Sequence, residues 1–396
     1  MTNYETVRQA ARRLGVTERT IQLWAKTGRI VGARKVGRDW MIPVEASDEE
    51  EDDPTEAMTP TDPADVAEPE PAVTAHIPMP LLSSAFEPGT CLAMIEAMDD
   101  PDARGIAMAE YDYFRGQHDE ALRAAAPYLG HCDKALSLSA VLISCYADAA
   151  VGRFEAARQV LGMIGAAQPD DDALTYAMRL VIETLFHLPS APGSASLPSL
   201  SALPEGMRLF VCYAMAHRAY LDGNYERSLG LAEAALALGS HEYPIASIYL
   251  KLIAAINLMN VRRVDEARRV FMSAWQQACP DGLIEGFGEH HGLLQGLVES
   301  CLRRDDPVNY ERVIEITYKF SAGWRRIHNP KTNELVADNL TTMEFTIAML
   351  VSRGWSYQEI AQHLDVSVSY VKKLITMTYE KLNITSRREL RQYMLR

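Results

Sequence analysis

Residues 340–382 read LTTMEFTIAMLVSRGWSYQEIAQHLDVSVSYVKKLITMTYEKL, and their punctuation decides how the C-terminal end folds. Thr341, with Glu344 three residues on, makes a capping box, in which a hydroxyl and a carboxylate satisfy free N–H groups of a helix's first turn. Gly354 ends that first helix. Ser356 with Glu359 repeats the box for a second helix, and Ser367 opens a third after the short Asp365-Val366 turn.

On the third helix Val371, Leu374, Ile375, Thr378 and Leu382 recur at i, i+3, i+4, i+7 and i+11 and must face a small core. The opposite face is thereby fixed. It carries Ser369, Lys372, Lys373 and Thr376, with Tyr370 and Met377 at its edge and Glu380 pointing outward at its far end. Cations and hydroxyls on one helical face suit contact with phosphates and base edges in a DNA major groove. The layout is that of a helix-turn-helix. It resembles the LuxR-type DNA-binding domain over about 50 residues, matching at Glu344, Gly354, Glu359-Ile-Ala361, Val371-Lys372 and Lys381-Leu382. The resemblance implies a four-helix unit whose third helix reads double-stranded DNA as a homodimer, with Lys372, Lys373 and Thr376 at the contact positions. Tyr370, where the family usually has Thr, and Leu374, where it often has His, depart from the pattern and bear on the target sequence rather than the fold.

The opposite end also reads as a DNA-binding unit. Tyr4 to Thr17 reads as a helix closed by Gly15, with Thr17 capping a second helix whose Ile21, Trp24 and Ala25 share one face. Arg19, Gln22 and Lys26 lie on the other face, and Arg34-Lys35-Val36-Gly37-Arg38-Asp39-Trp40 has a Gly-centred sequence suited to a type II′ hairpin. The segment resembles MerR- and excisionase-type winged helix-turn-helix units, matching at Ala10-Ala11, Leu14-Gly-Val16, Thr20-Ile21, Trp24, Gly28-Arg-Ile30, Val36-Gly37-Arg38 and Ile42-Pro43. That resemblance implies that Arg19, Thr20, Gln22 and Lys26 approach the groove and that Arg34, Lys35 and Arg38 contact phosphate.

Charge is divided accordingly. Residues 1–46 carry nine Lys/Arg against four Asp/Glu and residues 337–396 eight against six, so the net −14 of the 396-residue chain resides in the middle. An acidic middle discourages nonspecific wrapping of DNA and confines contact to the basic ends. Ser47 to Pro80 holds eleven acidic residues, seven prolines and no Lys or Arg, a composition that cannot bury enough apolar surface to order itself, and reads as a disordered linker.

Between residues 81 and 336 the periodicity is helical and a short motif recurs: Gly116-Gln-His118-Asp-Glu-Ala121, Gly152-Arg-Phe154-Glu-Ala-Ala157, Gly223-Asn-Tyr225-Glu-Arg-Ser228, and a fourth copy without the glycine, Val264-Asp-Glu-Ala267. Their final small residues lie 36, 71 and 39 positions apart, about one, two and one units of a tetratricopeptide-like period. Gly closes the turn between paired helices, and Ala or Ser lets the second helix approach the first. The missing copy falls near the loop Pro189 to Pro198. Such arrays bind a protein or small effector on a concave face.

The fold class expected is therefore mainly α, in four segments: a winged helix-turn-helix over 1–46, a linker over 47–80, a helical array over 81–336 and a LuxR-type unit over 337–396. No apolar run is long enough for a membrane helix and no signal-peptide core opens the chain, which points to the cytoplasm without a membrane partner. The six cysteines are scattered, His290-His291 is adjacent rather than i, i+4, and phosphate-loop, nucleophile-elbow and His-Glu-x-x-His motifs are lacking. The expectation is a transcriptional regulator, not an enzyme, with no cofactor and no metal. A helical-repeat adaptor whose DNA contact is incidental is the alternative.

Overall fold

The structure, a computed structural model, describes residues 4–13, 21, 25, 34–36, 39–43, 76–164, 172–185, 200–239, 242–324 and 340–394. Residues 1–72 and 73–396 form two compact units.

In the first unit, strand β1 (Tyr4–Thr6) leads into helix α1 (Val7–Arg13), and β2 (Arg34–Val36) and β3 (Asp39–Pro43) complete an antiparallel sheet of order β1-β3-β2. Tyr4 pairs with Pro43 and Val36 with Asp39, while residues 37–38, where the sequence suits a type II′ turn, lie outside the described residues. The residue pattern predicts a helix from Tyr4, whereas residues 4–6 are strand. The cause is Thr6, whose backbone N–H and hydroxyl donate to Gln9 Oε1 at 2.9 and 2.8 Å while its hydroxyl accepts from Gln9 N, a Thr-x-x-Gln cap that starts the helix at Val7. Ala10, Ala11, Ile21, Ala25 and Ile42 are buried together with Trp40 against them. Trp24 lies outside the described residues.

The second unit is helical: α2 (Cys91–Glu96), α3 (Pro101–Phe114), α4 (His118–Ala125), α5 (Lys134–Ala150), α6 (Phe154–Leu161), α7 (Ala173–Leu185), α8 (Glu205–Leu221), α9 (Tyr225–Ala237), α10 (Pro244–Asn260), α11 (Val264–Ala278), α12 (Glu285–Glu289), α13 (Leu297–Leu302), α14 (Pro307–Trp324), α15 (Thr342–Ser352), α16 (Tyr357–Leu364), α17 (Val368–Leu382) and α18 (Arg387–Met394). The motif copies are the turns of four helical hairpins, α3/α4, α5/α6, α8/α9 and α10/α11. In each, the N–H after the turn residue closes a six-residue loop onto a carbonyl of the first helix: Gln117 to Asp112, Arg153 to Asp148, Asn224 to Ala219, Arg263 to Leu258, at 2.7–2.9 Å. That closure needs a left-handed residue. Gly116, Gly152 and Gly223 supply it with φ of 78°, 80° and 75°, and in the fourth copy Arg262 takes φ 64° without being glycine. The small residues are buried, and where the third copy has Ser228 its hydroxyl donates to Ala216 O at 2.6 Å. Helix α7 precedes the expected degenerate copy, whose loop at 186–199 lies outside the described residues.

Residues 76–80, which composition assigns to the linker, are packed. Met79 and Leu81 are buried, and the N–H groups of Leu81 and Leu82 donate to the buried Glu110 carboxylate at 3.0 and 2.8 Å. His76 bridges the caps of two helices, its Nε2 2.8 Å from Asp100 and its Nδ1 2.9 Å from Asp133. His76, Asp100 and Asp102 thus offer ligand atoms within 4.8 Å of one another, a juxtaposition invisible in the spacing, but the carboxylates already occupy both ring nitrogens. The hydrogen bond to Asp133 first, and the charge of Asp100, hold the imidazole above its usual range. Residues 47–75 lie outside the description.

The repeats and the C-terminal helices share one core, which runs from Met79 to Met394. They meet at a close seat. Gly292 and Gly296 leave no room for a Cβ, which would lie 2.8 Å from Phe345 Cε1 and 2.6 Å from Leu364 Cδ2 respectively. Around this seat Thr346 donates to Glu299 at 3.1 Å, His291 Nε2 lies 2.8 Å from the same carboxylate, and His363 Nε2 lies 2.9 Å from Gln295 O. His290 and His291, adjacent in sequence, are each 1% exposed and turn to different partners, His290 to Tyr213 and Gly286. Among the cysteines, Cys91, Cys145 and Cys301 are buried, Cys212 and Cys279 half-buried and Cys132 exposed.

Candidate nucleic-acid interface

The C-terminal caps form as their residue types require. Thr341 Oγ1 accepts from Glu344 N at 3.3 Å while Glu344 Oε2 accepts from Thr341 N at 2.8 Å, and Ser356 and Glu359 repeat the exchange at 3.2 and 2.6 Å. Two hydrogen bonds from Ser356 hold the Glu359 carboxyl below its usual range. Asp365 takes φ 52°, ψ 51°, which short polar side chains tolerate, and turns the chain between α16 and α17. Ser367 then caps α17 by accepting from Tyr370 N at 3.2 Å.

Helix α17 is divided sharply. Val371, Leu374, Ile375, Thr378 and Leu382 are buried, and Ser369, Tyr370, Lys372, Lys373 and Thr376 are exposed. Tyr370, 37% exposed, stands at the border. The Thr376 hydroxyl donates to Lys372 O at 3.0 Å, so it faces outward as an acceptor with a methyl group beside it. Such a group fits a base amino group or a thymine methyl. Lys372 and Lys373 bring cationic donors to the same face.

The spacing of residues did not disclose what holds α17 in place. Lys381 Nζ donates at 2.7 Å to Glu344, which is 1% exposed and also serves its cap, so one carboxylate ties the end of α17 to the start of α15. Arg262 is the second such residue. Its guanidinium donates to Arg353 O at 3.1 Å and lies 4.6 Å over the Trp355 ring, fastening the α15–α16 junction to the repeats. The one clue in the sequence was a non-glycine at the turn position of the fourth copy. Arg353 in turn donates to Tyr220 OH at 3.1 Å.

In the N-terminal unit Arg34 and Lys35 are exposed on β2, the Arg34 guanidinium 4.0 Å over the Tyr4 ring. Arg19, Thr20, Gln22, Lys26 and Arg38 lie outside the described residues.

The geometry of α15 to α18 defines a helix-turn-helix with one face free. Comparison with known proteins points the same way: residues 338–394 match the family described as bacterial regulatory proteins, luxR family, and residues 6–46 match a helix-turn-helix domain family. Curated relatives include the HTH-type transcriptional regulator MalT of Vibrio campbellii (strain ATCC BAA-1116), 39% identical over 154 residues, covering 35% of this chain and 17% of the relative. MalT of Vibrio parahaemolyticus serotype O3:K6 (strain RIMD 2210633) is 39% identical over 64 residues, covering 16% of this chain and 7% of the relative. The matches thus take in less than a fifth of those relatives' length. No solved structure matches.

Proposed function

We propose that the chain is a cytoplasmic, DNA-binding transcriptional regulator and not an enzyme. It reads double-stranded DNA with α17 and is helped by the N-terminal unit, while its repeats bind a protein or small-molecule effector. The observation that carries this reading is the division of α17: one face given to the core, the other exposing Ser369, Lys372, Lys373 and Thr376, with Tyr370 at the border. Lysines on such a face meet phosphates, and the hydroxyls meet base edges. Association as a homodimer on inverted half-sites follows from the family resemblance and belongs to the same proposal. No helix among the described residues is long and apolar enough to cross a membrane.

The test is selection of genomic DNA fragments by the purified chain at two salt concentrations, beside Lys372→Ala/Lys373→Ala and Arg19→Ala/Lys26→Ala. Enrichment of fragments sharing an inverted repeat, lost in the first pair, supports α17 as the reader, and further loss in the second pair supports a contribution from the N-terminal unit. If no fragment is enriched and both pairs behave as the parent, the adaptor reading replaces this one.

A further inference from the structure

The middle of the chain is acidic, yet arginines gather in the two stretches that adjoin the C-terminal helices: Arg262, Arg263, Arg268 and Arg269 around the start of α11, and Arg303 and Arg304 after α13. Local contacts account for three of them. Arg262 is fastened to Arg353 O and the Trp355 ring, and Arg263 and Arg269 lie 2.6 and 4.0 Å from Glu266. Arg268 and Arg303 are exposed and form no ion pair among the described residues, and Arg304 meets Asp365 at 3.1 Å.

Arg304 thus reaches from the repeats to the reading unit. Its loop, between α13 and α14, is tied down: Leu302 is buried, Asp306 N donates to Leu302 O at 2.8 Å, and the Asp306 carboxylate accepts from Asn309 N at 3.3 Å. The loop presents Arg303 and Arg304 against the exposed Asp305. Helix α13 is itself held to α15 by Glu299 and Thr346, so the offset of Arg304 from the C-terminal helices is set by packing. Helix α11 packs on α13, and α13 on α16, which brings Arg268 near the end of α16. Burial first, with the Arg268 charge behind it, holds the His363 imidazole there below its usual range.

In a helix-turn-helix the reading helix enters the major groove by its N-terminal end while the helix before it crosses the sugar-phosphate backbone. Asp365 lies between those two helices, two residues ahead of the Ser367 cap. Its carboxylate, 82% exposed, stands where phosphates border the groove and repels them; the Arg304 side chain, 85% exposed, offsets that charge. An ion pair so exposed contributes little to folding. Of the five donors of the guanidinium, the bond to Asp365 engages one.

We propose that Arg304 and Arg268 form a phosphate-binding flank, by which the repeat body itself grips the DNA backbone beside the half-site that α17 reads. This flank rests on the reading of DNA by α17 and extends it. Phosphates are alike in every sequence, so the flank raises affinity without altering which sequence is preferred.

The experiment measures affinity of the full chain for a genomic fragment it selects and for an unrelated duplex of equal length, between about 50 and 200 mM salt. Arg304→Ala is expected to lower the slope of log affinity against log salt by about 0.9, and Arg268→Ala/Arg304→Ala by about 1.8, weakening both duplexes by the same factor. Lys372→Ala/Lys373→Ala, in contrast, also narrows the difference between the duplexes. Arg304→Lys retains most of the slope. Asp365→Asn breaks the same ion pair with a residue that tolerates the left-handed turn, and is expected to tighten binding, which separates a role in charge from mere support of the turn. Slopes equal to the parent's, a loss confined to the selected fragment, or weaker binding in Asp365→Asn overturns the proposal. Tighter binding in Arg304→Ala also overturns it and assigns the arginines to the acidic run at residues 48–53. A parent that binds neither duplex removes the reading of DNA and the flank together, whereas a parent that binds, with slopes unchanged in the variants, removes the flank alone.

Discussion

Arg262 bears a conformational cost that glycine bears for its counterparts at 116, 152 and 223, since a left-handed residue with a Cβ costs roughly 1–2 kcal/mol. What offsets that cost is a contact outside the repeat, to Arg353 O and the Trp355 ring. The two effects separate by substitution. Arg262→Gly relieves the strain and loses the contact, whereas Arg262→Ala keeps the strain and loses the contact, so the glycine variant is expected to be the more stable by about 1 kcal/mol in chemical denaturation. Equal stability would place the cost elsewhere. Arg262 illustrates what a sequence discloses: the missing glycine was legible as an irregularity, but its partner, ninety-odd positions away, depends on how two elements meet and leaves no local trace. His363 and Gln295, and Lys381 and Glu344, escape notice for the same reason. The apolar face of α17, set only by helical period, was read residue for residue.

Among the elements, α17 owes its position to more than its apolar face. Glu344 caps α15 and receives Lys381 with the same carboxylate. Glu344→Gln retains a side-chain oxygen for the cap and removes the charge, which isolates the ion pair; a loss of about 1 kcal/mol is expected, and it should vanish when Lys381→Met is already present. A double-mutant cycle by urea denaturation measures that coupling. The N-terminal unit shows where pattern reading loses a boundary. Tyr4-Glu-Thr6 carries helix-compatible residues, and only its pairing with β3 makes it a strand, although the Thr6-x-x-Gln9 cap was there to mark the true start of α1. The outer bounds of the linker failed likewise, because His76 and Met79 are ordered by Asp100, Asp133 and Ser139, residues remote in sequence.

At the scale of the second unit, repeats and C-terminal helices share one core, and the four-segment division of the sequence separates what folding has merged. Gly292→Val places a side chain where the Phe345 ring lies and is expected to undock α15 and α16 while leaving their own hydrogen bonds formed; hydrogen exchange should then rise at the seat, and hardly at α8 to α11. Stability should also follow pH in a defined way. Glu110, through burial, and Glu289, through burial and then Glu285, titrate at about 8 in the folded chain, against 4.5 as reference. The folded state therefore holds the extra protons, and stability falls as pH rises from about 4.5 to about 8, with His76 acting in the same sense. His290, lowered to about 4 by burial, acts oppositely below about 6.5. Thermal denaturation from pH 6.5 to 8 should show the decline, and Glu289→Gln should flatten it.

On the proposed reading, the seat at Gly292 and Gly296 would give the repeats a second use, as a gauge of length along DNA. If α17 were carried on a loose tether, two copies bound to an inverted repeat would accept half-sites at many separations. Fastened as it is, α17 keeps a fixed offset from its own repeat stack, so a symmetric pair reading DNA as proposed would reach only half-sites of one helical phase. Five base pairs inserted between the half-sites, about half a turn, should abolish binding, and ten should restore part of it; in Gly292→Val, both spacings should be tolerated alike.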